Sequence, residues 1–299
     1  MLEIKNVIKY YGSKPVVNNL SFTVSKGSIF GLLGPNGAGK TTTLRIILGI
    51  LPPTSGNVYF NNVAINHTFF NITGYLPEER GLYPKSSVKN ILYYLGKLKG
   101  LNKTAVEKNV NYWLERLELS MYKNHKLDEL SKGNQQKIQF ISAILHQPEI
   151  LILDEPFSGF DPLNQNIFHD IITELSKDKF IILSTHQMDL AESLCNEIFL
   201  ISNGEKITAG KLDNILNAEA NIYSITFLNK TDIEIFNNFE NINVLSFQNN
   251  SYTLNLNEYS PAKFIKIISS SAEVLEFKKN KPSLHQTFLS LINSEGDNV

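Results

Sequence analysis

Apolar residues in this chain fall into continuous, alternating and helically spaced runs, and the order of those runs sets out an architecture. Continuous runs at Ile29-Phe30-Gly31-Leu32-Leu33, Ile150-Leu151-Ile152-Leu153 and Phe180-Ile181-Ile182-Leu183 predict parallel strands buried on both faces. Alternating runs (Leu2, Ile4, then Val7-Ile8; Leu20, Phe22, Val24) predict short half-buried strands around a turn at Gly12-Ser13-Lys14-Pro15. Gly56 to Asn62 reads as a strand ending in a polar turn, and Ile72 to Pro77 as a short buried strand halted by proline. Apolar residues at helical spacing cover 86–100 (Val88, Ile91, Leu92, Leu95, Leu98) and 104–119 (Val106, Val110, Trp113, Leu114, Leu117). Gly100 is expected to end the first helix and Thr104 to cap the second; a third runs from Ser131 to Leu145. Ile198 to Ile201, Gly204 and Glu205-Lys206-Ile207 read as a closing hairpin.

From about residue 217 the chain turns Asn-rich. Strand-like runs at 222–228, 243–248, 251–256 and 273–279 enclose helical ones at 231–239 and 261–269. The order βαββαβ is similar to a small ferredoxin-like module. A last helix (Leu284, Phe288, Leu291, Ile292) is expected to close the chain. Nothing in this tail looks catalytic, which suggests a regulatory or partner-binding part.

The chain has 299 residues and a formal net charge of −1, a balance that gives no electrostatic case for nucleic acid as a partner. One cysteine, Cys195, excludes an internal disulfide and is compatible with a reducing compartment. Met1-Leu2-Glu3-Ile4-Lys5 lacks the basic-then-apolar pattern of a signal peptide, and no window approaches eighteen apolar residues. The sequence therefore predicts a chain that does not span a membrane by itself.

The chemistry concentrates at strand ends. Gly34-Pro35-Asn36-Gly37-Ala38-Gly39-Lys40-Thr41-Thr42 lies between an apolar strand and an apolar helix, and reads as a phosphate-binding loop. Glycines there let backbone N–H groups turn onto a phosphate, Lys40 adds a point charge, and Thr41 offers a hydroxyl to Mg2+. Asp154 and Glu155 end a central strand: Asp154 suits a metal, Glu155 the polarisation of an attacking water. Glu78 and Glu79 follow another strand tip, where open α/β sheets place ligands, although a solvated acidic loop has the same composition. His186 is either a phosphate contact or a structural histidine. Tyr10 and Tyr11, before the first turn, either cap a sheet edge or stack on a base. Leu130-Ser131-Lys132-Gly133-Asn134-Gln135-Gln136 puts small and amide side chains at a helix start, an arrangement that serves as an N-cap or an anion site.

Taken together over residues 1 to about 215, these residues resemble the ATP-binding subunit of an ATP-binding cassette (ABC) transporter. The likeness rests on the phosphate loop, the Leu130 to Gly133 signature, Asp154-Glu155, the Ser158-Gly159-Phe160-Asp161 loop and Thr185-His186, all in that family's order. It implies an α/β fold: a P-loop NTPase core with an N-terminal antiparallel β subdomain and a helical subdomain (about 80–148). The ABC ATPase domain is expected over 1–215 and a C-terminal α+β accessory domain over 216–299.

The resemblance further implies adenine stacking by Tyr11 and a phosphate cradle from Asn36, Gly37, Ala38, Gly39, Lys40, Thr41 and Thr42. Thr41, Glu78 and Asp154 would hold Mg2+. Glu155 would act as general base and His186 as γ-phosphate sensor. Ser131 and Gly133 would contact ATP held by a second ATP-binding subunit, and Asp161 would communicate across that seam.

Glu78 replaces the family's usual glutamine, Lys132 a glycine and Asn134 a glutamine. These changes and the tail resemble the bacterial drug- and sodium-export branch. Its members are peripheral on the cytoplasmic face of the membrane and power a separate permease, here expected to dock near residues 79–100. The alternative is a family ATPase acting on ribosomes or DNA, which usually carries two cassettes or a long coiled coil.

Overall fold

The computed structural model describes residues 1–288, except 80, 219–220, 230, 232, 237–238, 240–241, 258 and 281–282. The chain divides into two compact units, Met1–Lys211 and Leu212–Val299.

The first unit is built on two sheets. One is antiparallel and contains β1 (Leu2–Tyr11), β2 (Lys14–Val24), β4 (Ser55–Phe60) and β5 (Val63–Ala64), in the order β2-β1-β4-β5. Its first hairpin is longer than the alternation predicts. Pro15 lies inside β2, which forms the sheet's edge, where a residue without an N–H is tolerated. The second sheet contains β3 (Ile29–Leu33), β6 (Thr73–Leu76), β7 (Ile150–Asp154), β8 (Phe180–Thr185), β9 (Glu197–Ser202) and β10 (Glu205–Lys211). The order is β10-β9-β3-β8-β7-β6, parallel except for β10, which closes antiparallel on β9.

The three continuously apolar runs are the buried strands β3, β7 and β8 in its centre. Apolar side chains of both sheets form one core, including Leu2, Val24, Phe30 and Phe199. Phe22 stacks on Phe30 with ring centres 5.0 Å apart. That core fixes the strand ends from which the site is made.

Helix α1 (Lys40–Ile47) follows β3. Between β6 and β7 lie α2 (Val88–Leu98), α3 (Lys103–Arg116) and α4 (Lys132–Ile144). Gly100 ends α2 in the left-handed conformation, at φ 82°. Thr104 does not cap α3. The cap lies two residues earlier, where Asn102 accepts the Ala105 amide at 2.9 Å, as a preferred N-cap residue does. Helices α5 (Pro162–Ser176) and α6 (Met188–Leu194) follow β7 and β8. Among the described residues no helix is long and apolar enough to cross a membrane.

The second unit begins with α7 (Leu212–Ala218). It continues as β11 (Ile222–Phe227), a 3-10 turn (Ile233–Phe236), β12 (Asn243–Gln248), β13 (Ser251–Asn255), α8 (Pro261–Ser271) and β14 (Val274–Lys279). Where 231–239 reads as helical, only the 3-10 turn lies among the described residues. The sheet order β12-β13-β11-β14, antiparallel throughout, is the split arrangement of the ferredoxin-like pattern. Ile225, Phe227, Phe236, Leu254, Phe264 and Ile268 form a separate core. Leu284 and Phe288 lie in a helical segment at 284–288, and Leu291 and Ile292 fall outside the described residues.

Candidate active site

The phosphate loop is shaped by contacts that leave no room for side chains. At Gly34, φ is 151° and a Cβ would fall 2.1 Å from the carbonyl oxygen of Ile201. At Gly39, φ is 102° and a Cβ would fall 2.5 Å from the carbonyl oxygen of Val16. Strands β9 and β2 therefore press on the loop from two sides, and Gly39 stands as the N-cap of α1. Lys40 folds back over the loop, donating to the carbonyls of Gly34 at 2.8 Å and Pro35 at 3.1 Å. Beside it opens a cleft of about 320 Å3 lined by Val16, Asn36, Gly37, Gly39, Lys40, Thr41, Thr42, Glu78 and Glu155. Ala38 is buried behind the loop.

Register between β7 and β8 assembles the acids. Asp154 pairs with Ser184, whose hydroxyl donates to Asp154 Oδ1. The next residue, Glu155, leaves the strand at φ 47°, in the left-handed region, and its amide donates to the Ser184 carbonyl at 3.1 Å. A strained dihedral on a non-glycine residue persists only where the surroundings fix it. Here Thr185 Oγ1 donates to Glu155 Oε2 at 3.1 Å, and His186 Nδ1 donates to Oε1 at 2.8 Å. Lys40 Nζ lies 3.6 Å from the same Oε1. Glu155 is 4% exposed, yet lines the cleft. One carboxylate thus meets the lysine of the phosphate loop and the histidine at the tip of β8.

Asp154 is 1% exposed and its Oδ2 has no hydrogen-bond partner. Burial pushes its pKa up; the Ser184 and Thr41 hydroxyls and Lys40 pull it down, while Glu155 adds to the rise. Burial also pushes the Tyr75 phenol to about 12, with Asp154 and Glu78 adding to it and Arg45 opposing. An orphaned carboxylate oxygen beside Thr41, with Glu78 lining the same cleft as Thr41, offers oxygen donors of the kind a hard divalent cation takes. Among the described residues no group of three or more His, Cys, Asp and Glu could cage a metal alone.

Asp154 and His186 stand behind and beside Glu155 rather than in the cleft lining, and four further expected contacts belong to neither this cluster nor the cleft. Tyr11, 53% exposed at the end of β1, does not line it, and Lys9 Nζ sits 5.8 Å from its ring centre. Ser131 caps α4, accepting the Asn134 amide at 3.3 Å, and Gly133 faces the ring of Phe160. Asp161 caps α5, accepting the Asn164 amide at 2.9 Å. Ser131, Gly133 and Asp161 therefore gather around Phe160 and the starts of two helices, separate from the P-loop cleft of the same chain. The motif reading omits Val16 and Ser184. Ser184 carries a signal, a hydroxyl at the end of an apolar strand; Val16 carries none, since only packing brings β2 to the loop.

A phosphate loop at the tip of one parallel strand, β3, with a metal-suited aspartate and a glutamate at the tip of β7, one strand removed across β8, defines a P-loop nucleoside triphosphatase. The profile of the ABC transporter family matches residues 17–158. The chain is 39% identical over 298 residues to the ABC transporter ATP-binding protein YhaQ of Bacillus subtilis, covering 98% of this chain and 99% of that protein. It is 29% identical to the linearmycin resistance ATP-binding protein LnrL of the same organism, covering 97% and 98%. A solved structure of an ATP-binding subunit of an ABC transporter aligns with TM-score 0.68 at 30% identity, over 72% of this chain and 91% of that one. The chain belongs to the ATP-binding proteins of ABC transporters. It is an ATPase using ATP and Mg2+, and subunits of this kind pair and work with membrane components.

Proposed function

We propose that this chain powers an exporter whose permease is a separate membrane protein, and that it works as a pair of ATP-binding subunits on the cytoplasmic face of the membrane. The observation that carries this reading is a divided site. The P-loop cleft is lined by Lys40, Glu78 and Glu155, whereas Ser131, Gly133 and Asp161 do not line it, and in this reading they meet the cleft of a second copy or a relative. Resistance to linearmycin in the name of one relative, and its likeness along nearly the whole chain, favour export.

In this reading Asn36 to Thr42 cradle the phosphates, Tyr11 stacks on adenine, and Thr41, Asp154 and Glu78 hold Mg2+. Bound there, the ion would neutralise phosphate charge as it develops. Glu155 accepts the proton of the attacking water while His186 orients that carboxylate and reaches the γ-phosphate. Asp161 links the two sites. The helical region near residues 79–100, which follows Glu78, docks the permease, and residues 216–299 form an accessory domain that regulates or binds a partner.

Exchanging Glu155 for Gln tests the core of the proposal. It keeps the shape and removes the base, so kcat is expected to fall by about 10²- to 10⁴-fold. With ATP the variant is expected to elute from a sizing column as a dimer. Undiminished phosphate release, or a monomer with ATP bound, defeats it.

A further inference from the structure

Strand β6 ends at Leu76, and the chain then passes through Pro77, Glu78 and Glu79. The strand has ended before Pro77, so the carbonyls on either side of Glu78 have no ladder partner and need donors from elsewhere. Both find the same one. Gln139 Nε2 donates to the Pro77 carbonyl at 3.2 Å and to the Glu79 carbonyl at 2.9 Å. A primary amide has two N–H bonds, so one side chain can serve both. Gln139 is 3% exposed.

The amide sits on α4, eight residues beyond the Ser131 cap, about 12 Å along the axis. One turn further, α4 touches β6 directly: a Cβ at Gly74 would fall 2.1 Å from the Ala143 carbonyl oxygen. Helix and strand are therefore joined at two points on one helix face, backbone to backbone at Ala143 and through the Gln139 amide at the strand's exit. Glu78 itself is exposed and lines the nucleotide cleft. Without a brace its backbone would be a free loop.

We propose that Gln139 is a positioning residue: its carboxamide brackets Glu78 and ties this nucleotide-facing acid to the helix that starts at Ser131. The inference rests on the reading of Glu78 as a Mg2+-facing group. Displacement of Glu78 when the metal nucleotide binds then moves the Ser131 end of α4, the part that would face a second subunit's ATP. Substituting leucine for Gln139 keeps the bulk and removes the donors. Both carbonyls are released and Glu78 loses its fixed approach.

The test is equilibrium binding of a fluorescent ATP analogue to the full chain, with Mg2+ and with EDTA. The ratio of the two affinities is the gain due to the metal. Binding in EDTA, which rests on the phosphate loop, checks that each variant is folded. Gln139→Leu is expected to lower the gain about fivefold, the cost of one or two hydrogen bonds. Gln139→Glu, the same size with acceptors facing two carbonyls, should do the same if the leucine variant does not fold. Glu78→Ala should lose the gain too, and the double variant should lose no more than Glu78→Ala alone. A gain kept by both Gln139 variants but lost in Glu78→Ala overturns the clamp and leaves the Glu78 reading standing. A gain kept in Glu78→Ala overturns that reading and the clamp with it. Losses that add in the double variant overturn the clamp, because Gln139 would then act by another route.

Discussion

Gly34 illustrates how tightly the phosphate loop is determined. Its left-handed backbone and the Ile201 carbonyl 2.1 Å from the position of a Cβ mean that even alanine must displace β9 or distort the loop. Overpacking and dihedral strain each cost about 1–3 kcal/mol, so Gly34→Ala is expected to lose about 3 kcal/mol or more. In a unit of this size that is a fall in Tm of about 6–12 °C by calorimetry, with weaker ATP binding. Gly31, inside β3, is constrained differently. A Cβ there would lie 2.7 Å from the Sγ of Cys195, whose thiol burial pushes up to about 12. Cys195 is thus a packing residue.

At the scale of elements, the join between α4 and β6 also contains a half-buried histidine. His146, just beyond α4, donates from Nε2 to the Thr73 carbonyl at 3.2 Å, and its Nδ1 is buried without a partner. Lys99 reaches the same carbonyl at 2.9 Å. Burial, with Lys99 and Lys179 adding repulsion, pushes the His146 pKa down to about 4. Between pH 6.5 and about 4 the unfolded chain therefore binds a proton that the folded chain refuses, so stability falls as pH drops through that window and levels off below it. His146→Gln is expected to flatten this part of the curve of Tm against pH. A slope identical to that of the wild type would show that other groups set the acid limit.

Two separate cores set the behaviour of the whole molecule. The residues around Leu2, Phe30 and Phe199 and those around Phe227 and Phe264 share no member, and the chain divides at Lys211 and Leu212. A unit with its own core can fold alone, so a fragment of residues 1–211 is expected to bind ATP within about threefold of the full chain. Titration of the purified fragment with a fluorescent nucleotide measures this. A fragment that aggregates or binds far more weakly would show that the second unit supports the first.

The sequence by itself determined the parts of this protein whose information is local. Three continuously apolar runs defined the central strands, since only a strand covered on both faces tolerates such a pattern. The glycine-lysine-threonine loop and Asp154-Glu155 defined a nucleotide site, because each keeps its spacing whatever the packing around it. Helix ends were less legible: Asn102 competes with Thr104 to cap α3, and the choice depends on where the preceding turn ends. Tertiary structure alone decided which strand lies next to which. That pairing set Ser184 against Asp154, aimed Thr185 and His186 at Glu155, and pressed Val16 onto Gly39. It also carried Gln139, sixty residues away in sequence, to the backbone of Glu79. No local pattern encodes these contacts, because they arise only when separate segments are packed by one core.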